Sequence, residues 1–359
     1  MEEQKFLGRV LFFNGKSNDT FQYLKENLTE TLENIDSSSI RSEYKLWIYK
    51  NYTLPSKRFL LTVHDATETH LKKLDSISDK YLKKWCGLPP SATNAMLHMK
   101  AGMDIKTISQ LYMEAHSISH TRTRLLGDPA VNFALDCGVA RESELTRKRS
   151  TIVTAENNFQ KALNYNSVQG EIPMFGERWE KEARQFREDV KETVKMNITF
   201  EDENKWREHV KTLVIQGRLL ELASAEHSDA VWKSFVFDLK KGTLKFLLNA
   251  QLDTLPTGAN LVRWNKSSCD KCKQCGNRET TCHILNGCSV SLEQGKYTWR
   301  HDGIINYIVK NIDTNKFKVY SDLPGQMAGN GTIPLEACVT SEKPDMVMIR
   351  RGEHWISLN

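Results

Sequence analysis

Between Cys269 and Cys288 the chain reads CDKCKQCGNRETTCHILNGC, which places five of its eight cysteines and one histidine in a single short stretch. Cys272 and Cys275 bracket two residues, His283 follows after seven more and Cys288 after a further four, giving C-x2-C-x7-H-x4-C. Two thiolates on a tight x2 turn present one face to a tetrahedral ion, and a His and a Cys carried on a short helical turn supply the other. The spacing therefore predicts one Zn²⁺ held by Cys272, Cys275, His283 and Cys288. Gly276 and Asn277 are expected to give the positive-φ backbone of the turn. Cys269 and Cys282 are spare thiols, and either can replace a neighbour as ligand, since Cys269-x2-Cys272 repeats the first spacing. A disulfide cluster is the competing reading; it requires a secretory route, and the start MEEQKF has neither a basic n-region nor an apolar h-region.

A second group of residues is suited to phosphate chemistry. Asp345 follows a proline at the start of the strand-like run DMVMI, after a helix and an earlier strand signal, FKVY. That order matches the opening of a restriction-nuclease fold, in which acidic oxygens hold Mg²⁺ against the scissile phosphate. Such a site needs a second acid in the next strand and then a lysine. The second position falls among Ser357, Leu358 and Asn359, none of them acidic. A metal-dependent nuclease could otherwise draw on Asp345, Glu336 or Glu353, and His301, so Mg²⁺ is expected only if the acid set is completed. No Tyr-x-Asp-Asp element supplies the paired aspartates of nucleotidyl transfer.

Composition bounds the elements that must carry these residues. The chain has 359 residues, 39% hydrophobic and 26% charged, with a net charge of +5. Two or three domains are expected at that length, mainly helical, and the mild positive charge permits a nucleic-acid partner without demanding one. No apolar run approaches the ~20 residues of a membrane span. The expected location is nuclear or cytoplasmic, not secreted, so sequons such as Asn27 and Asn330 carry no weight.

Along the chain, FLGRVLFF near the start reads as a strand or hairpin edge, and Asn18–Ile35 as an amphipathic helix on Phe21, Leu24, Leu28 and Leu32. Helices are expected over Ser39–Tyr52, Ala66–Trp85, Ser91–Lys100 and Ile105–His120. Residues 151–176, polar and ending in QGEIPMFG, read as a linker. A second helical block spans 177–262, with helices over Glu177–Lys195, Asp202–Ala225 and within Val231–Leu252, where Trp232, Phe235, Phe237, Leu244, Phe246 and Leu247 form a core stripe. The knuckle occupies 263–296. Residues 297–359 then offer a helix, Tyr297–Ile312, and strands at Phe317–Tyr320, Asp345–Ile349 and HWISL.

Several of these stretches resemble one family. LDTLPTGANLVRWNK before the knuckle, CGNRETTCHILNGC within it and GKYTWRHDGIINYI after it are similar to the segment between the polymerase and the endonuclease of non-LTR retrotransposons that encode a restriction-like endonuclease. KNYTLPSKRFLLTVHD and KYLKKWCGLPPSATNAMLHMKAGM resemble the polymerase thumb of the same elements. The resemblance implies that residues 1–15 end the polymerase palm, 16–150 form the helical thumb, and 297–359 are a cut-off endonuclease. It also turns Lys83, Lys84, Arg122, Arg124, Arg147, Lys148 and Arg149, which alone would read as a solvated helix face, into candidates for phosphate contacts. The expected activity is binding of DNA or RNA without polymerisation or cleavage. A nuclease, or a helical interaction module in which the knuckle is only a clip, are the alternatives.

Overall fold

Leu24, Leu28 and Leu32 recur at helical spacing, and in the computed structural model they form the buried stripe of α1 (Ser17–Ser37). The structure describes residues 3–6, 9–12, 17–63, 66–144, 150–167, 177–218, 220–221, 236–240, 242–313, 315–321, 323, 333, 344–350 and 355–358. The fold is mainly helical. It divides into two compact units, Met1–Thr254 and Leu255–Asn359. Among the described residues no helix is long and apolar enough to cross a membrane.

The first unit opens with an antiparallel hairpin, β1 (Glu3–Phe6) paired to β2 (Arg9–Phe12). After α1, α2 (Ser42–Ile48) continues through a π-helical turn, Tyr49–Thr53, directly into α3 (Leu54–Val63). From the sequence the helix is expected to end at Tyr52, ahead of Pro55. In the structure the helix runs on through Pro55, and the widened π turn lies just before it, where a continuous helix can make room for the ring that clashes with the preceding turn. α4 (Glu68–Cys86) is bounded by Thr67, which accepts from the His70 N–H, and by Gly87 at φ +65°, whose left-handed backbone lets the Leu88 N–H reach the Lys83 carbonyl. α5 (Ala95–His98) is one turn, and α6 (Ile108–Leu125) begins at its own threonine cap, Thr107. Leu32, Leu61, Leu74, Leu82, Met96, Ile105 and Tyr112 fill one core, which Leu244 and Leu248 of the helix Thr243–Gln251 and Leu252 just past its end complete. That helix turns Phe246 outward, contrary to the expected stripe, because Leu244 and Leu248 already take its buried face.

α7 (Pro129–Glu144), α8 (Thr151–Ser167) and α9 (Glu177–Lys211) follow. Two expectations change here. Most of the stretch expected as a linker over 151–176 is helix α8, whose Ala155, Phe159 and Ala162 are buried. Small residues carry much of that face, so its hydrophobicity is low while its spacing stays helical. Likewise α9 is one helix of 35 residues, not two. Its Val190, Val194 and Ile198 pack with Phe159 and Ala162 in a second core, and α6, α8 and α9 touch one another.

The second unit contains the helix Gly258–Arg263, a π-helical turn His283–Gly287, the short helix Ser289–Glu293 and the helix Lys296–Asn311. Gly258–Arg263 therefore belongs with the knuckle, whose expected boundary lay at residue 263. A three-stranded antiparallel sheet follows in the order β3 (Phe317–Ser321), β4 (Met346–Arg350), β5 (Trp355–Leu358). Ile305 and Val309 of the preceding helix pack on Val319 and Met346 of that sheet, so the end of the chain is a helix laid on strands.

Candidate metal centre

Cys272, Cys275, His283 and Cys288 converge, with one ligand atom from each within 4.8 Å of the others. The Cys275 Sγ lies 3.3 Å from the His283 Nε2. Thiolates bound to zinc at ~2.3 Å in a tetrahedron stand about 3.8 Å apart, so three sulfurs and one imidazole nitrogen at this spread fit such an ion with little movement. Cys269 and Cys282 lie outside the group and are exposed. Of the alternatives open in the sequence, the structure selects the C-x2-C-x7-H-x4-C set.

The first two ligands sit on a tight turn. The Cys272 N–H donates to the Asn277 carbonyl at 2.6 Å, and the Gly276 N–H returns to the Cys272 carbonyl at 2.9 Å. Gly276 takes φ +76°, with open space where a Cβ would stand. Asn277, expected to share that conformation, does not adopt positive φ, because one left-handed residue suffices to reverse the chain. Backbone N–H groups of Cys275 and Gln274 draw the Cys272 thiol below its ordinary range. The backbone N–H and hydroxyl of Ser291 do the same for Cys288. Both favour the thiolate, which is the ligating form.

Of the other two ligands, His283 opens the π-helical turn His283–Gly287 and Cys288 follows it directly, and residues outside the turn fix it. Thr280 accepts the His283 N–H through its hydroxyl at 3.1 Å. The Tyr297 hydroxyl accepts the Cys288 N–H at 3.0 Å and lies 3.2 Å from the carbonyls of His283 and Ile284. Arg300 donates to the Leu285 carbonyl at 2.7 Å and to the Asn286 side chain at 2.9 Å, with its guanidinium over the Tyr297 ring. On the other side Glu279 accepts the Gly258 N–H through its side chain and the Ala259 N–H through its carbonyl. A Cβ at Gly258 would lie 3.2 Å from the Asp270 backbone and from the Glu279 Cβ, a contact tight enough that the neighbours would have to shift by a few tenths of an ångström. Thus the helix before the knuckle is tied to it through Glu279, and the helix after it fastens the turn between His283 and Cys288.

No protein-family model and no curated protein matches this chain. The roles of its residues follow from the geometry alone.

His301 and Asp345, 44 positions apart in sequence by their numbers, meet at 3.2 Å between Nε2 and Oδ1. Asp302 takes the other ring nitrogen at 3.1 Å. The hydrogen bond to Asp302 first, and that to Asp345 second, raise the His301 pKa above the ordinary histidine value, which favours the cationic ring between two carboxylates. The β4–β5 register sets Leu358 opposite Met346, next to Asp345. Glu336 and Glu353 lie outside the described residues.

The basic candidates separate. Arg124 is turned inward: its guanidinium pairs with Glu156 and Asp136, joining α6, α7 and α8, and Glu156 also binds His120 at 2.6 Å. That correction has a simple cause, since a cation in the last turn of a helix next to two carboxylates is more stable paired than solvated. Arg122, two residues earlier, stays exposed on another face of α6. Lys83 donates to the Pro90 carbonyl and Lys84 to Asp36; both border a cleft that Lys72 and Lys80 also line. Arg147, Lys148 and Arg149 lie outside the described residues. Tyr297 carries no mark in the sequence of the turn it holds, because an isolated Tyr has no spacing to betray it.

Proposed function

We propose that this chain is a zinc-clipped nucleic-acid-binding portion of a non-LTR retrotransposon polyprotein, from its polymerase thumb through its zinc knuckle into its endonuclease region. One observation carries the proposal. Six of the residues by which the sequence resembles that family, Thr257, Asn260, Glu279, Thr280, His283 and Arg300, build or fasten the metal cluster and its flanking helices, which gives that part of the resemblance a physical basis. Thr257 caps the helix Gly258–Arg263, Asn260 donates to the Leu255 carbonyl, and Glu279 and Arg300 tie the flanking helices to the knuckle. Zinc is the ion that three thiolates and an imidazole in tetrahedral array select. Its role is structural, since four protein ligands leave no position for substrate.

In this reading the chain binds DNA or RNA through backbone phosphates and catalyses neither polymerisation nor cleavage. Purified chain loaded with zinc should retard duplex and single-stranded oligonucleotides in a gel at low salt. Absence of retardation with intact zinc would instead assign the knuckle to a protein-interaction module.

The His301–Asp345 contact bears on a second reading, a metal-dependent nuclease with Asp345 as its first acid. A histidine engaged on that carboxylate leaves Mg²⁺ few fixed oxygens, and phosphate chemistry needs several. Supercoiled plasmid incubated with the chain and Mg²⁺ or Mn²⁺ should therefore stay supercoiled. Nicking that disappears in Asp345→Ala would move the protein into the nuclease class.

A further inference from the structure

Arg122 does not stand alone on the surface of the first unit. Two residues of α9, Arg187 and Lys191, one helical turn apart, face the same cavity of about 440 Å³, which Ser119 and Thr123 of α6 border with hydroxyls. Leu125 and Leu126 form an apolar wall beside them. Among the described residues no acid lines this cavity; Glu188, just outside the lining, pairs with Lys191, and that hydrogen bond with the charges of Lys191 and Arg122 lowers its carboxyl pKa, so a bound phosphate competes with it for both cations. α6 and α9 are held at this spacing by the core of Phe159, Val190 and Val194, against which Leu125 packs. The cations are therefore presented by packed helices rather than by loops.

Planar guanidinium groups match phosphate oxygens two at a time, and a lysine adds a point charge. A leucine wall suits the sugar or base face of a nucleotide better than it suits a bare inorganic ion. We propose that this cavity binds a phosphodiester of a nucleic-acid strand, with Arg122, Arg187 and Lys191 on the phosphate oxygens and Leu125 and Leu126 against the adjoining sugar. The site rests on the nucleic-acid-binding reading above. It adds α9, to which the sequence assigned no contact, and it leaves out Arg124, which does not line the cavity.

The test uses the full chain with zinc bound. A cavity variant, R122Q/R187Q/K191Q, is compared with K195Q/K205Q/K211Q, which removes the same charge from elsewhere on α9, and circular dichroism verifies that both remain helical; R122Q alone serves if the triple variant loses helix. Binding of a short DNA duplex is followed by fluorescence anisotropy against salt, and binding of inorganic pyrophosphate by calorimetry. Loss of one phosphate contact should flatten the slope of log K against log salt by about 0.9 in the cavity variant relative to the control variant. Equal slopes in the two variants overturn the site while leaving nucleic-acid binding intact. If the unaltered chain binds no duplex, the broader reading fails; pyrophosphate binding that the cavity variant loses then reassigns the site to free phosphates, and no pyrophosphate binding overturns it.

Discussion

The Tyr297 hydroxyl touches three backbone groups of the ligand-bearing turn, and with Arg300 it holds that turn from the following helix. Tyr297→Phe removes the acceptor for the Cys288 N–H and should weaken zinc binding about tenfold, as loss of groups that orient metal ligands commonly does. Competition with a chromogenic chelator measures it; unchanged affinity would show that the turn holds itself. One zinc per chain is expected by metal analysis, lost in Cys272→Ser and in His283→Ala and retained in Cys269→Ser and Cys282→Ser. A serine at either exposed thiol that releases the metal would contradict the ligand set. At this scale the sequence is most informative where spacing alone constrains geometry: a Cys-x2-Cys turn can do little besides hold two sulfurs together. It is least informative where a partner is distant. Nothing near Arg124 in the sequence announces Glu156, on a helix two elements further on, so its inward pairing becomes visible only with the fold.

Among the elements, a buried His98 ties α4 to the segment that leads into α6. Its Nδ1 lies 2.7 Å from the Ile105 carbonyl and its Nε2 3.0 Å from Asp79, while the Trp206 ring stacks on it. Both nitrogens face acceptors, so both must donate, and the ring is an imidazolium. Burial opposes that charge, but the Asp79 hydrogen bond and charge outweigh it and raise the pKa above the ordinary 6.5. A raised folded value means that the contribution to stability is complete below the unfolded pKa, about 6.5, and is lost as pH rises through the folded one. An NMR titration should place the His98 midpoint above that of an exposed histidine, and Asp79→Asn should lower it; a midpoint at or below 6.5 in the unaltered chain contradicts the assignment. Legibility differs among the helices for a physical reason. α1 and α4 carry leucines on the buried face and read clearly as amphipathic. α8 buries Ala155 and Ala162, whose weak hydrophobicity hides the stripe, and the polar start of the stretch suggests a linker. The sequence divides α9 in two because Thr199 and Phe200, residues that favour strands, interrupt its pattern. The neighbouring α6 and α8 keep it continuous by burying Val194 and Ile198 on the same face.

For the whole molecule, composition indicates a mainly helical protein and the structure has that character, with the strands confined among the described residues to a hairpin at the start and a sheet at the end. The division at Leu255 is not legible, because the short helix Gly258–Arg263 has no sequence mark tying it to the knuckle; the tie is the Glu279 carboxylate and carbonyl. A net charge of +5 is too small to dictate a partner, so the functional account depends on where the cations stand. Arg122, Arg187 and Lys191 share one cavity, and Lys72, Lys80, Lys83 and Lys84 line another together with Asp75 and Asp79. The most direct test of nucleic-acid binding is the salt dependence of duplex affinity for the zinc-loaded chain. If both cavities meet the backbone, log K should fall against log salt with a slope of roughly −2 or steeper, since each phosphate contact contributes about −0.9. A flat line, or no binding at about 50 mM salt with zinc in place, would contradict the account.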